Sequence, residues 1–529
     1  MAATPEERRN GFVVPPRTRW GPLDSLFLTL LTLAGGILRL LRVADPHDFV
    51  FDEVYYAKDA CMYVKDSLKA CGLDAIQNQV HPPLGKWLIA GGIKVFGFDS
   101  LGYRIGVVLG GTLTIVLLYL LARKILNSTL GAVIAAGLLA IDPLHFVQSR
   151  TSMLDVFVPL FAVAAFLFLV YDRERLLEGL ASGPVRGARL GLLGRPWRLA
   201  AGIAAGAAFA TKWSGAFVVV AVGIIAVVWE YSARRADGEG RPMLRLVRGE
   251  GLNLVLCCVL APLVVYVASY AGVKDITGYR NDSRPDELGG TVLAAPWAEG
   301  SWWESFWAEQ TFNWDFHTQD LRDATHPYQS QPWSWMLLKR PVSYFYEPPD
   351  SEGNVREILA TGSPFVWWAS ILALIYTAYR WIRGPRLGGP EGVILAGFVF
   401  TYGPWLLPLE RPAVFIFYFV VTVPFICMAL GYVATRIGES WEARTAAVVF
   451  SLFAVGFFIF YYPLLTKGPL TRDDWDRRLL FFGDNKQCEK PEGTPTTETV
   501  TETTGGTVST SESVSNTNDD LPPKGWCWI

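Results

Sequence analysis

Charge is scarce in this chain. Of its 529 residues only 18% are Asp, Glu, Lys or Arg, against 51% hydrophobic, which argues against a soluble multidomain protein. Histidine (5) and cysteine (7) are few; without a Cys-x-x-Cys pair or a His/Cys cluster, no metal site is expected. The net charge is −2, and the basic residues form no stripe, so a nucleic-acid partner is not expected. A cleavable signal peptide is also not expected, because the first apolar run follows about twenty polar residues and is long enough to stay as an anchor. Repeated halves of the kind found in many transporters are missing too.

What the chain has in quantity is apolar runs. A helix needs roughly 20 residues to cross a bilayer, and eleven segments of adequate or marginal length lie near 24–44, 102–122, 129–143, 152–171, 198–211, 214–230, 252–272, 363–381, 390–407, 413–434 and 444–464. The fifth and sixth are read as a tight hairpin about "TKWSG". The expected fold is therefore all-α and polytopic. Connector 172–198 carries six arginines and 231–250 five, whereas the alternate connectors hold one basic residue each, Arg150, Lys212 and Arg411. The positive-inside rule then puts residues 1–23 in the cytoplasm and two long loops, 45–101 and 273–361, outside. Residues 24–465 form the membrane domain. The second loop is rich in Trp ("SWWESFWAEQTFNWDF"), and an amphipathic helix is expected near 301–314, resting at the lipid headgroups.

The tail 466–529 should lie outside; from Glu492 to Asn518 it holds ten Thr and four Ser, a composition that predicts disorder. Cys61 with Cys71, and Cys488 with Cys527, can each form a disulfide in an oxidising compartment. Cys257, Cys258 and Cys427 lie in apolar runs and read as packing residues.

Ionisable residues collect at the outer ends of these spans. "FVFDEVYYAKDA" sets Asp52 beside Glu53, "HPPLGK" brings His81, Pro82 and Lys86, and "DPLHFVQSRTSMLD" brings His145, Arg150 and Asp155. Lys212 and Arg411 come from two further connectors. Each alone reads as a solvated or snorkelling side chain, and His81 and His145 as loop hydrogen-bonding residues. A carboxylate pair ringed by outward cations suits glycosyl transfer to a hydroxyl. Asp52 can take the acceptor proton, and Arg150, Lys212 and Arg411 can hold a leaving phosphate without a metal. Glu53 can hold substrate or tune that base; adjacent side chains diverge, so the two do not share one proton.

Four stretches taken together resemble one family. "FVFDEVYYAKDA", "VHPPLGKWLIAGG", "SRTSMLDVFVPLF" and "GIAAGAAFATKWSGAFVVV" are similar, in order, to motifs of the protein O-mannosyltransferases, membrane enzymes of the GT-C class. The resemblance is strong from about Phe49 to Gly215 and weaker over the later spans. It implies a GT-C fold and a polyprenyl- or dolichyl-phosphate mannose donor, with no cofactor. It also implies a Ser/Thr hydroxyl acceptor on a translocating, unfolded, Ser/Thr-rich protein, and inversion at the sugar carbon. It carries the essential acid onto Asp52 and phosphate-side cations onto Arg150 and Lys212, with Arg411 a looser match. His81, Pro82, Lys86, His145 and Asp155 are expected to shape the site. Loop 273–361 is too short for the β-trefoil domain of eukaryotic members, which points to the bacterial type in a plasma membrane, near lipids and the secretion machinery. The alternatives are a related transferase acting on a lipid, as in aminoarabinose transfer, and a lipid or sugar transporter.

Overall fold

The structure is a computed structural model that describes residues 19–65, 69–73, 80–181, 194–236, 240–271, 301–322, 326, 328–384, 389–407, 413–436, 440–479, 497–504 and 507–514. Each of the eleven apolar segments carries a helix. In chain order the helices are α1 (Pro22–Leu40), α2 (Glu53–Met62), α3 (Leu84–Phe96), α4 (Ser100–Leu126), α5 (Thr129–Ala140), α6 (Pro143–Gln148), α7 (Phe157–Ala181), α8 (Pro196–Thr211), α9 (Ala216–Ala236), α10 (Pro242–Ser269), α11 (Trp302–Asp315), α12 (Pro364–Arg383), α13 (Pro390–Tyr402), α14 (Val423–Arg436), α15 (Trp441–Leu465) and α16 (Arg472–Arg478). Among the described residues, seven segments are long and apolar enough to cross a membrane: α1, α4, α10, α12, and the stretches Leu154–Leu177, Trp213–Arg235 and Thr445–Leu465. On α1 the exposed side chains Leu23, Leu26, Leu30, Leu33 and Ile37 recur every three or four residues, one continuous apolar stripe of the kind a lipid-facing helix presents. The chain is a multi-pass membrane protein.

Helix boundaries follow local chemistry. Pro at the first position starts α1, α6, α8, α10, α12 and α13, where its missing N–H costs nothing. Asp99, Ser128 and Asp142 cap α4, α5 and α6 by accepting from Gly102, Gly131 and His145 amides, groups that otherwise lack a helical partner. The third span is shorter than 129–143, because Asp142 and Pro143 open a new helix. The tenth starts later than 413: residues Ile416–Val421 form a buried 3₁₀ turn, and α14 begins at Val423 with Pro424 in its first turn. The hairpin at "TKWSG" is present, with Trp213–Gly215 as a 3₁₀ turn between α8 and α9. Where α10 packs on α8, a Cβ on Gly202 of α8 would fall 1.8 Å from the Cys257 carbonyl oxygen of α10. Only glycine lets the two backbones approach so closely.

Three strands, which the sequence reading did not anticipate, lie outside the bundle. β1 (Val342–Glu347) pairs antiparallel with β2 (Asn354–Ala360), and β2 pairs with β3 (Leu470–Thr471), which follows α15. The β1–β2 register slips between Ser343 and Phe345, making Tyr344 the extra residue of a bulge. Trp475 of α16 is fully buried behind this sheet and donates to Glu357 Oε2 at 2.7 Å. α11 is present as expected, closed by a capping box between Ser301 and Glu304, and leaves Trp303, Trp307 and Trp314 exposed. In the Thr-rich tail, where composition predicts disorder, β4 (Thr497–Thr504) and β5 (Thr507–Val514) pair as a ribbon. A lone two-stranded ribbon is marginal in water.

Cys61 and Cys71 form a disulfide, and Cys257, Cys258 and Cys427 are free and buried. Cys488, Cys527, loop residues 273–300 and Arg411 lie outside the described residues.

Candidate active site

Asp52 precedes the first turn of α2 and caps nothing with its side chain. Its half-buried carboxylate accepts from the Tyr56 hydroxyl at 3.4 Å. Burial pushes its pKa up to about 6; the Lys212 charge pulls the other way and that of Asp155 adds to the rise. A carboxylate near 6 is charged at neutral pH yet basic enough to share a proton in a transition state. Phe51, directly before it, holds φ at +51°, a conformation a bulky side chain adopts only when its surroundings impose it. Here the ring stacks on Tyr344 at 4.6 Å with planes 3° apart and meets Phe417 edge-on at 5.6 Å.

Glu53 does something different. It is fully buried and saturated: Oε1 accepts from Arg104 Nε at 2.8 Å and the Ser152 amide at 2.7 Å, and Oε2 from Arg104 Nη2 at 2.7 Å and the Val50 amide at 2.8 Å. Of the two roles open to Glu53, holding substrate and tuning the base, these four bonds favour the second. Its carboxylate ties the turn Val50–Glu53 to α4 and to the segment before α7, and so fixes where Asp52 stands. Arg104 completes the clamp with bonds to the carbonyls of Val43, Pro46 and Asp48.

Lys212, between α8 and the 3₁₀ turn, is held by both oxygens of Asp155, at 2.8 and 2.9 Å, and lies 4.3 Å over the Tyr418 ring. Asp155 and Lys212 are thus brought together across 57 residues, within the field of Asp52. Arg150 departs from the expected phosphate role. Its guanidinium donates to the carbonyls of Leu38, Arg39, Leu41 and Arg42, closing the C-terminal end of α1, where the last carbonyls lack helical partners. Lys86 is buried against Asp59 at 2.9 Å, and buried His145 presents Nδ1 to Arg39 at 3.0 Å; since Arg only donates, that nitrogen is an acceptor. Both shape the framework: Lys86 is paired within it, and His145 is engaged through Nδ1 while its buried Nε2 has no partner among the described residues. Pro82 is buried just before α3. His81, with φ at +101°, has its ring 6.0 Å from that of Tyr56 and 5.4 Å from that of His317, which in turn lies 5.4 Å from Trp213.

Sequence reasoning missed Arg104, Asp59, Tyr56, His317, Tyr344 and Tyr418. For Arg104 there was a signal: a lone cation inside an apolar run needs a buried partner. Tyr56, His317 and Tyr418 carried none beyond the abundance of aromatic residues.

The helical membrane bundle has the fold of the GT-C glycosyltransferases. The chain matches the S. cerevisiae protein O-mannosyltransferase Pmt1–Pmt2 complex bound to the sugar donor with a TM-score of 0.69, over 88% of this chain and 93% of that one, at 16% identity. Residues 99–271 match the family described as dolichyl-phosphate-mannose-protein mannosyltransferase, and residues 302–483 the C-terminal four TMM region of protein O-mannosyltransferase. Polyprenol-phosphate-mannose–protein mannosyltransferases of Mycolicibacterium smegmatis and Mycobacterium tuberculosis are each 31% identical to it, over 89% and 88% of this chain and 95% and 93% of theirs. The chain belongs to the protein mannosyltransferase family.

Proposed function

We propose that this protein moves mannose from polyprenyl-phosphate mannose to a Ser or Thr hydroxyl of a secreted protein. The observation that carries the reading is the contrast within the acidic pair: among the described residues Asp52 has a single long contact from a phenol, whereas Glu53 is fully bonded. Asp52 takes the proton of the acceptor hydroxyl as its oxygen attacks the sugar C1. The bond from C1 to the phosphate oxygen breaks, its electron pair leaves with the phosphate, and the configuration at C1 inverts. Lys212, oriented by Asp155, meets the charge that grows on the phosphate. Arg150 is committed to α1, so the phosphate role narrows to Lys212, with Arg411 as a further candidate.

The acceptor would be an unfolded Ser/Thr-rich chain met during secretion, since the family resemblance names protein hydroxyls and the loop 273–361 leaves no room for a trefoil domain. The location would be the bacterial plasma membrane, with the N-terminus cytoplasmic and the site and C-terminus outside, as the arginine asymmetry of the loops supports. No cofactor is proposed. With Lys212 as the phosphate-side cation, activity should survive a chelator, and loss of transfer in EDTA would show that a metal takes part.

The test uses membranes holding the wild-type chain or Asp52→Asn, radiolabelled polyprenyl-phosphate mannose and a Thr-rich peptide. Label on the peptide with wild type alone, at equal protein level, supports the reaction and the base. No label with either points to another sugar or acceptor, and equal label with both removes Asp52 from its role.

A further inference from the structure

Tyr344 is the bulged residue of β1, buried at 4% exposure. A bulge turns a side chain out of the regular alternation, and this one lays the Tyr344 ring on Phe51, next in the chain to Asp52. Behind it stands Gln148 of α6, fully buried. The orientation of the Gln148 amide follows from its neighbour: Nε2 is 2.9 Å from the Phe417 carbonyl oxygen, which can only accept, so nitrogen must face it. The same Nε2 lies 3.4 Å from the Tyr344 hydroxyl. The phenol oxygen therefore accepts from Gln148, and its own proton has no acceptor among the described residues. Gln148 Oε1 is likewise a buried acceptor with no donor among them. Buried polar groups are nearly always bonded, and the exceptions call for a reason.

One bonded pair thus keeps a spare donor and a spare acceptor beside the candidate base. A sugar hydroxyl both donates and accepts and suits such a pair; a phosphate dianion only accepts, and a lipid chain does neither. Burial and the charges of Asp52 and Asp155 hold the proton on Tyr344, so the phenol stays a donor.

We infer that Tyr344, aimed by the bulge and oriented by Gln148, donates a hydrogen bond to one hydroxyl of the transferred sugar and so helps select it. The inference rests on the donor reading above. A site built to bond a hydroxyl rejects the analogue that lacks it.

The test measures kcat/KM for polyprenyl-phosphate mannose and for the four donors that each lack one sugar hydroxyl, with wild type and with Tyr344→Phe, which keeps the ring stack. The expected result is one deoxy donor about tenfold or more poorer with wild type. Tyr344→Phe should weaken the parent donor by a like factor and treat that deoxy donor and the parent alike. If the variant keeps the wild-type discrimination at every position, or weakens all five donors in equal proportion, the inference is overturned. Wild type inactive on the parent donor would sink the donor reading, and this inference with it.

Discussion

Helices α7 and α8 carry charged groups at both ends, and the two ends are built on opposite plans. At one end, Arg195, Arg198 and Arg234 interlock with Asp172, Glu230 and Glu250 at 2.5 to 3.6 Å, three cations against three carboxylates, all buried. At the other, Asp155 and Lys212 form a single pair, and Asp52 stands near it with a long contact to a phenol. A balanced, fully paired network gives its charges no work beyond holding four helices in register. An end where a carboxylate is left poorly bonded, beside unspent polar atoms, keeps its charge available for a ligand. The same contrast holds within one dipeptide, between Glu53 and Asp52.

Four measurements break or sharpen this comparison. Asp52→Asn should cost about 10³-fold in transfer rate, the scale of a general base, while the thermal midpoint of the detergent-solubilised protein stays within a few degrees. A matching loss of stability would place Asp52 with the paired charges. Arg198→Met should do the reverse: it takes the cation from buried Glu250 and one of the cations from Asp172 and Glu230, and should destabilise by about 3–5 kcal/mol, read as loss of folded protein in the membrane, while the fraction that survives keeps its KM.

Next comes pH. With Asp52 raised to about 6, the base form fills as pH rises through 6, so kcat/KM should fall about tenfold per unit below it. Stability moves the other way. A carboxyl whose folded pKa is raised above the unfolded 3.8 contributes stability that is complete below 3.8 and lost as pH rises through 6. An acid limb that stays near 6 in Asp52→Asn would assign it to another group. The smallest effect is reserved for Arg150→Lys, which cannot reach four carbonyls at once. It should cost about 1–2 kcal/mol of stability and leave the donor KM within about twofold; a tenfold rise in KM would return Arg150 to the phosphate.

Much of this was legible in the sequence. The eleven helices follow from apolar runs alone, and Asp52 stood out because two acids ended an apolar span. The partners were harder to see. Asp155 and Lys212 meet across a bundle that only packing brings together, and the saturation of Glu53 depends on Arg104, 51 residues away. Tyr344 sat in a recoverable pattern: in "VSYFYEPPDSEGNVREILA" two runs rich in aromatic and β-branched residues flank a turn-rich break, the pattern of a hairpin. Its bulge is not encoded in any local pattern, since the slip arises from pairing with β2.

The third strand of the outer sheet has a consequence for how the enzyme is made. β3 and Trp475 follow the last membrane helix, more than a hundred residues after β2, yet they hold the same sheet that carries Tyr344. A nascent chain that has delivered everything through Leu465 already contains Asp52 and Lys212, but the hairpin over them lacks both its edge strand and its buried tryptophan. Completion of the sheet thus waits for residues that follow α15, and a ribosome that stops early leaves it unfinished.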